Sequence, residues 1–511
     1  MKKQDDLFEL IKSLSVSEKR YFKLSVSVQK GEKNYLKLFD AIDKQEKYNE
    51  LEIKKGFAGN VFIKQLHRTK YYLYNLILKS LTAYYSSSSV DSELKELLQQ
   101  VKTLLEKGLY KQCEKIISKT KLLAEKYEKH LALLELSDWE IRLMYRQSYK
   151  GKTAKEIERC YKDTFSEANK YINYKEYEQI SARMFVRTNK KGYSRTNTDL
   201  LAYKSITDHP LLRSEDKTIS YHSLSVYYTI YSSYYLLQND YTIAYSYTQK
   251  KVKFMEAHPY QIGENIQSYV TALTNLILCQ LNLKKYTEVV LSLKKLKEIN
   301  TKSQNIQSRI FYTVYNSELT MHIDKGEYTQ GIKLIPSIQN GLGKMGFSKE
   351  ANMILSYGIS QVYFGAGNYQ DALIYLNKII NDTGINMRSD VYCMVKIMLL
   401  IVHFELGNEE LLEYMEKSVH RYLDKNERLY RVETSILDFM RKTVPKIITP
   451  QERIKAFKKL KAEIEEITQN TYEKKALEYF DFISWLESKI EKRPFAVIVK
   501  EKARSLSRAT R

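Results

Sequence analysis

Gly341, Gly343 and Gly346 have the G-x-G-x-x-G spacing with which a backbone cradles the pyrophosphate of a dinucleotide. That chemistry needs a strand before the glycines and a helix opening on them. Here a helical segment containing Pro336 precedes them and a new helix begins near Ser348, so the triplet is expected in a loop between helices. Gly151, Lys152 and Thr153 have the order that ends a phosphate loop. The position five before Gly151 is Arg146, however, where such a loop requires glycine. No two of the eight histidines are three or four residues apart, so no helix face offers a metal a pair of ring nitrogens. Cys113, Cys160, Cys279 and Cys393 show no C-x-x-C spacing, and each is expected as a free thiol packed like a small hydrophobe. No nucleophile stands with a base. The expectation is a protein that is not an enzyme and holds no cofactor and no metal.

Binding chemistry is the alternative, and the helices must place it. The 511 residues include only 17 Gly and 6 Pro, whereas average usage of about 7% and 5% would give ~36 and ~26. A sheet protein of this size needs more turn residues than that, so the fold class is all-α. Acidic Asp5, Asp6 and Glu9 stand where a signal peptide would carry its apolar core. The longest purely apolar run, Ile397 to Val402, is far short of a bilayer span. A cytoplasmic protein without a membrane span is expected.

The net charge of +22 is concentrated at the two ends of the chain. Residues 1–85 carry 17 basic and 10 acidic side chains, and residues 489–511 carry 8 and 2. Such a field attracts nucleic acid, but 63 of the 83 cations are Lys, which keeps a protein soluble without the bidentate geometry of Arg. Within residues 1–85, Ser15 with Glu18 and Asn49 with Glu52 have capping-box spacing, opening one helix through about Val28 and a short one that stops near Gly56 to Gly59. A long helix from Val61 to Tyr85 follows. Short helix, tight turn and long helix have the order of a helix-turn-helix unit, in which Lys64, Arg68, Tyr72, Asn75 and Lys79 form one basic stripe opposite Leu66 and Leu73. The same stripe would equally serve as the wet side of an amphipathic helix.

Beyond the polar run Ser86 to Ser89 a turn recurs. It begins at Gly108, Asn239, Lys284, Gly326, Gly367 and Gly407, with spacings of 131, 45, 42, 41 and 40 residues. Because 131 is close to three periods, two degenerate helix pairs are expected between Tyr145 and Pro210. Ser232, Ile277, Leu319, Ser360 and Leu400 recur on the first helix of each pair, and Ala244, Val289, Gly331, Ala372 and Leu412 on the second. Large Leu319 is expected to face small Gly331, a trade of volume that close packing demands. Pro445 and Pro450 mark a second boundary, where Thr449, Pro450 and Glu452 make a strong helix start. A further helix from Tyr472 to Lys492 follows.

The segment GNYQDALIYLNKI at 367–379 resembles the turn and second helix of a tetratricopeptide repeat, with Gly367, Tyr369 and Ala372 at the family's turn Gly, turn Tyr and close-packing Ala. The resemblance covers about residues 90–425, although the period exceeds the family's 34 and its Pro after the second helix is mostly missing. It implies an all-α, right-handed helical-repeat solenoid at 90–440. An N-terminal basic helical domain at 1–85 precedes it, a C-terminal helical hairpin cap at 449–493 follows, and a basic tail, ordered in part, ends the chain at 494–511. In that family's geometry the inner groove is lined by the first helices. Counting back from the turns places Thr229, Ser233, Thr271, Thr274, Asn275, Asn282, Thr313, Asn316, Thr320, Tyr357 and Gln361 there. These are polar and uncharged, which suits hydrogen bonding to an extended peptide backbone better than contact with phosphates. The expected function is a scaffold that binds a protein or peptide in its groove. The alternative is a nucleic-acid- or ribosome-associated protein that binds through its basic ends, in the domain order of bacterial regulators joining a DNA-binding unit to a repeat domain.

Overall fold

The computed structural model describes residues 6–27, 34–85, 89–191, 203–382, 389–446, 448–470 and 472–509, and no strand occurs among them. The chain divides into two compact units, Met1–Tyr171 and Ile172–Arg511.

The first unit opens with α1 (Asp6–Ser13), α2 (Val16–Ser27), α3 (Asn34–Lys44), α4 (Glu50–Gly56), α5 (Val61–Lys64) and α6 (Leu66–Tyr85). One capping box forms as spaced: Glu18 N–H donates to Ser15 Oγ while Ser15 N–H donates to the Glu18 carboxylate. The second forms by half, since Glu52 N–H donates to Asn49 Oδ1 but Asn49 N–H donates to Gln45 Oε1. Gly31 and residues 86–88 lie outside the described residues. The long helix expected from Val61 is broken at Gln65. Leu66, Leu73 and Ile77 of α6 are buried with Leu7, Ile11, Phe22, Leu38, Phe39 and Ile42, so α6 is the beam on which α1, α2 and α3 pack. Each fully buried side chain of this kind contributes about 1.5–3 kcal/mol.

Next come α7 (Val90–Glu106), α8 (Tyr110–Lys126) and α9 (His130–Arg146), around Leu94, Val101, Cys113, Ile117, Ala124 and Leu136. Where two pairs are expected between Tyr145 and Pro210, the described residues hold α10 (Ala154–Lys191), one unbroken helix of 38 residues, and a short helical stretch at 203–207, with 192–202 outside the described residues. Glu156, in the first turn of α10, bonds both the N–H and the hydroxyl of Thr153, so the Gly151–Lys152–Thr153 triplet is a turn and a cap.

The second unit is built of neighbouring helix pairs: α11 (Tyr221–Leu237) with α12 (Tyr241–Glu256), α13 (Ile266–Asn282) with α14 (Tyr286–Lys297), and α15 (Gln304–Asp324) with α16 (Tyr328–Lys344). They continue with α17 (Lys349–Gly365) and α18 (Tyr369–Asn381), then α19 (Ser389–Glu405) and α20 (Glu409–Lys425). All six recurring turn positions, Gly108 in the first unit included, are left-handed, with φ between +58° at Lys284 and +81° at Gly367. Each turn closes in the same way. At Gly326, for example, Gly326 N–H donates to Ile323 O and Glu327 N–H to His322 O. This is the arrangement that satisfies the last carbonyls of a helix. Glycine adopts it freely, while Asn239 and Lys284 adopt it at a cost of about 1 kcal/mol.

The ten expected packing positions from Ser232 to Leu412 are all buried. The volume trade runs between pairs rather than within one. A Cβ at Gly331 would lie 3.0 Å from Val362 of α17, and a Cβ at Gly358 of α17 would lie 3.3 Å from Leu319 of α15. The glycine triplet differs from expectation as well. Gly341 and Gly343 are inside α16 rather than in a loop, and a Cβ on Gly341 would run into the ring of Phe311.

The chain continues through α21 (Arg431–Asp438) to α22 (Pro450–Ile467), opened by the Thr449–Glu452 capping box, and then α23 (Phe482–Glu491) and α24 (Phe495–Ala509). The helix expected from Tyr472 to Lys492 is broken at Phe480, which is fully extended at φ −156° and ψ 137°. The segment after Pro494 is a helix rather than a loosely ordered tail. Its Ile498 and Val499 are buried, and Lys502 pairs with Glu487 at 2.6 Å.

Candidate functional site

Past their first turns, α11, α13, α15, α17 and α19 carry no exposed residue, whereas α12, α14, α16, α18 and α20 each present an exposed stripe. The first helix of every pair is therefore an inner layer and the second an outer one. The expected groove residues belong to the inner layer, and their polar groups divide into two sets.

The first set is used by the chain itself. Tyr357 hydroxyl donates to the Tyr479 carbonyl at 3.0 Å, and Gln361 Nε2 donates to the same oxygen at 2.5 Å. Tyr479 ends a single helical turn and Phe480 runs extended beside α17, with the ring of Phe480 set edge-on to Phe364 at 5.2 Å. Phe480 and Phe495 stack at 6.0 Å, and Phe495 also stacks on Tyr328. The break in the helix at Phe480 frees the backbone carbonyl that Tyr357 and Gln361 capture.

The same C-terminal segment is pinned at both sides of that point. Lys475 is 3% exposed. Its ammonium donates to Asn239 Oδ1 at 2.8 Å and Tyr241 OH at 2.6 Å in the α11–α12 turn, and pairs with Glu478 at 2.5 Å. Three acceptors for three N–H groups make burial of this charge tolerable. Tyr479 OH donates to Asp390 at 2.6 Å, Trp485 Nε1 donates to Glu405 at 2.7 Å, and Lys489 pairs with that same carboxylate. On the α15–α16 turn the backbone of α24 lies so close that a Cβ at Gly326 would sit 2.8 Å from Lys500 N.

The second set has no hydrogen bond to that segment among the described residues. Thr274 donates to Val270 O at 2.7 Å and lies 3.3 Å from the Thr313 hydroxyl; Thr320 donates to Asn316 O and Asn282 to Leu278 O. Ser233, Thr271, Asn275 and Asn316 are half-buried in the same layer. The hydroxyl donors are spent on their own helices, so their oxygens and the Asn275 and Asn316 amides are what this stretch can offer a ligand. Thr229 stands apart. It accepts from the ammonium of Lys251 at 2.6 Å, and burial pushes that ammonium down to about 8. Lys251 and Lys475 were not singled out by the sequence, because a lysine in a helical pattern reads as surface.

In the first unit Lys64, Arg68, Tyr72, Asn75 and Lys79 are all exposed, opposite buried Leu66 and Leu73. The short helix α4 and the long helix α6 follow one another in the expected order, with the single turn α5 between them, and α6 is the central beam of its bundle. No metal-binding cluster occurs among the described residues, and no described helix is long and apolar enough to cross a membrane. Cys113, Cys160, Cys279 and Cys393 are free, with Cys279 pushed up to about 11 by burial. The chain matches no protein-family model and no curated protein.

Proposed function

We propose that this is a non-enzymatic scaffold that binds an extended segment of a protein or peptide along the inner layer formed by α11, α13 and α15. In this reading the helix pairs form a right-handed array of the tetratricopeptide type, with α22 and α23 closing one end, in the cytoplasm. The supporting observation is the inner face of α17, where two uncharged side chains, Tyr357 and Gln361, hold the backbone carbonyl of Tyr479 just before the chain turns extended at Phe480. Asn316 of α15 stands, like Tyr357, ten residues before its turn, Asn275 of α13 stands nine before its own, and both amides offer the same kind of hydrogen bond.

A phage-displayed library of linear peptides tests the reading. Peptides selected on the full chain should lose about ten-fold in affinity in the double variant Asn275→Ala/Asn316→Ala, at roughly 1 kcal/mol for each neutral hydrogen bond. Selection of no linear peptide, or unchanged affinity in the double variant, would overturn it.

A further inference from the structure

From Ile53 to Val90 the chain contains no Asp or Glu but six Lys and Arg. Two of the six are occupied: Lys54 pairs with Glu50 at 2.7 Å, and Lys70 donates to Tyr48 OH at 2.8 Å. Lys64, Arg68 and Lys79 are exposed and have no ion pair among the described residues. They share the outer face of α5 and α6 with two rings that a soluble helix would ordinarily cover, Tyr71 at 70% exposed and Tyr72 at 50%. Tyr72 is braced by Tyr35, whose ring centroid is 5.8 Å away, and Asn75 anchors to the Tyr71 carbonyl at 2.9 Å. The inner face of α6 is fixed by Leu66, Leu73 and Ile77, so the outer face is held in place rather than adaptable.

We propose that this face of α6 is a platform for single-stranded nucleic acid, with bases stacking on Tyr71 and Tyr72 and phosphates meeting Lys64, Arg68 and Lys79. Interleaved cations and exposed rings are what a sequence-tolerant single-strand site requires, because every base has a face to stack. A duplex keeps its bases stacked on one another and gives Tyr71 and Tyr72 nothing to stack on. The stripe has one Arg, so it also lacks the bidentate donors that read guanine in a major groove. From Arg68 to Lys79 the stripe extends about 16 Å at 1.5 Å per residue, enough for a few nucleotides. This surface stands independently of the inner-layer groove.

Fluorescence anisotropy of the full chain with a labelled 20-nucleotide oligo-dT, a duplex of equal length and phosphatidylserine vesicles decides the matter. The single strand should bind more tightly than the duplex, and its affinity should fall about two decades per decade of salt, as expected for about three neutralised phosphates. Tyr71→Ala/Tyr72→Ala should cost at least ten-fold. Tyr71→Phe/Tyr72→Phe should bind like the parent, which separates loss of stacking from loss of fold. Lys79→Ala should flatten the salt dependence by about 0.7 of a decade per decade. Equal affinity for duplex, indifference to removal of the rings, binding to vesicles in preference to the oligonucleotide, or no binding at 50 mM salt would each overturn the proposal.

Discussion

On α17 the inner layer grips a backbone carbonyl of the chain's own C-terminal segment, whereas on α13 and α15 the same layer presents Asn275 and Asn316 to no part of that segment among the described residues. The two stretches are built of the same kind of helix pair, with the same left-handed turn and a buried residue at the matching position of the second helix, Val289, Gly331 or Ala372. What separates them is long-range closure. The filled stretch is tied by Tyr479, Trp485 and Lys489 to residues between 80 and 89 positions away, while Thr274, Asn282 and Thr320 of the open stretch bond within a helix and to the next pair, and the C-terminal segment meets that stretch at the turns of Asn239 and Gly326 rather than at Asn275 and Asn316. A repeat protein is stabilised mainly by each unit against its neighbour, so closure over the inner side chains of α17 and α19 adds a long-range source of stability there.

The difference is sharpest at Trp485, which is 1% exposed and bonded to Glu405. Trp485→Ala should lower unfolding free energy in urea by about 3–5 kcal/mol, and hydrogen exchange should show the loss concentrated on α19, α22 and α23. A smaller effect of opposite sign is expected at Lys251, on the open side. Its folded pKa of about 8 is below the ordinary 10.5, so the folded chain holds that proton less firmly than the unfolded one. The group therefore destabilises the fold fully below pH 8, and the penalty fades as pH rises through 10.5. Lys251→Met should remove a penalty of about 3 kcal/mol near neutral pH, and its advantage over the parent in urea melts should shrink steadily between pH 8 and 10.5. If the advantage does not depend on pH, the ammonium is not the source. A smaller change is expected of Tyr357→Phe, which leaves Gln361 on the Tyr479 carbonyl and should cost about 1 kcal/mol. Asn275→Ala/Asn316→Ala, by contrast, should leave the urea midpoint within about 0.5 kcal/mol of the parent, because no closure depends on those amides.

The parts of this fold that could be read in the sequence are those set by neighbours in the chain. Four of the six turns carry a Gly or Asn two residues before a Tyr, Lys284 and Gly407 begin close variants of that pattern, and all six are left-handed because the closing bonds span only five residues. Ser15, Asn49 and Thr449 cap for the same reason. Lys284 adopts the left-handed turn against its own preference. The run around α10 gave no such help: its apolar residues mark no break, and a period counted from flanking turns divides residues that the structure keeps in one helix from Ala154 to Lys191. Counting back from the turns puts Asn275 and Asn316 on the first helices of their pairs, where α13 and α15 carry them. What uses Tyr357 and Gln361 was not legible, because their acceptor is a main-chain oxygen that carries no residue identity and is more than a hundred positions away.

The contact at Gly326 bears on the order of biosynthesis. Residues 475–500 emerge from the ribosome after the helices from α11 to α19 that they bind, so during translation Asn239, Tyr357, Gln361 and Glu405 stand without these partners. The inner layer of the nascent chain is thus open along its whole length. It closes over α17 and α19 only when the last forty residues are made and α24 settles its backbone against a position where no side chain larger than hydrogen fits.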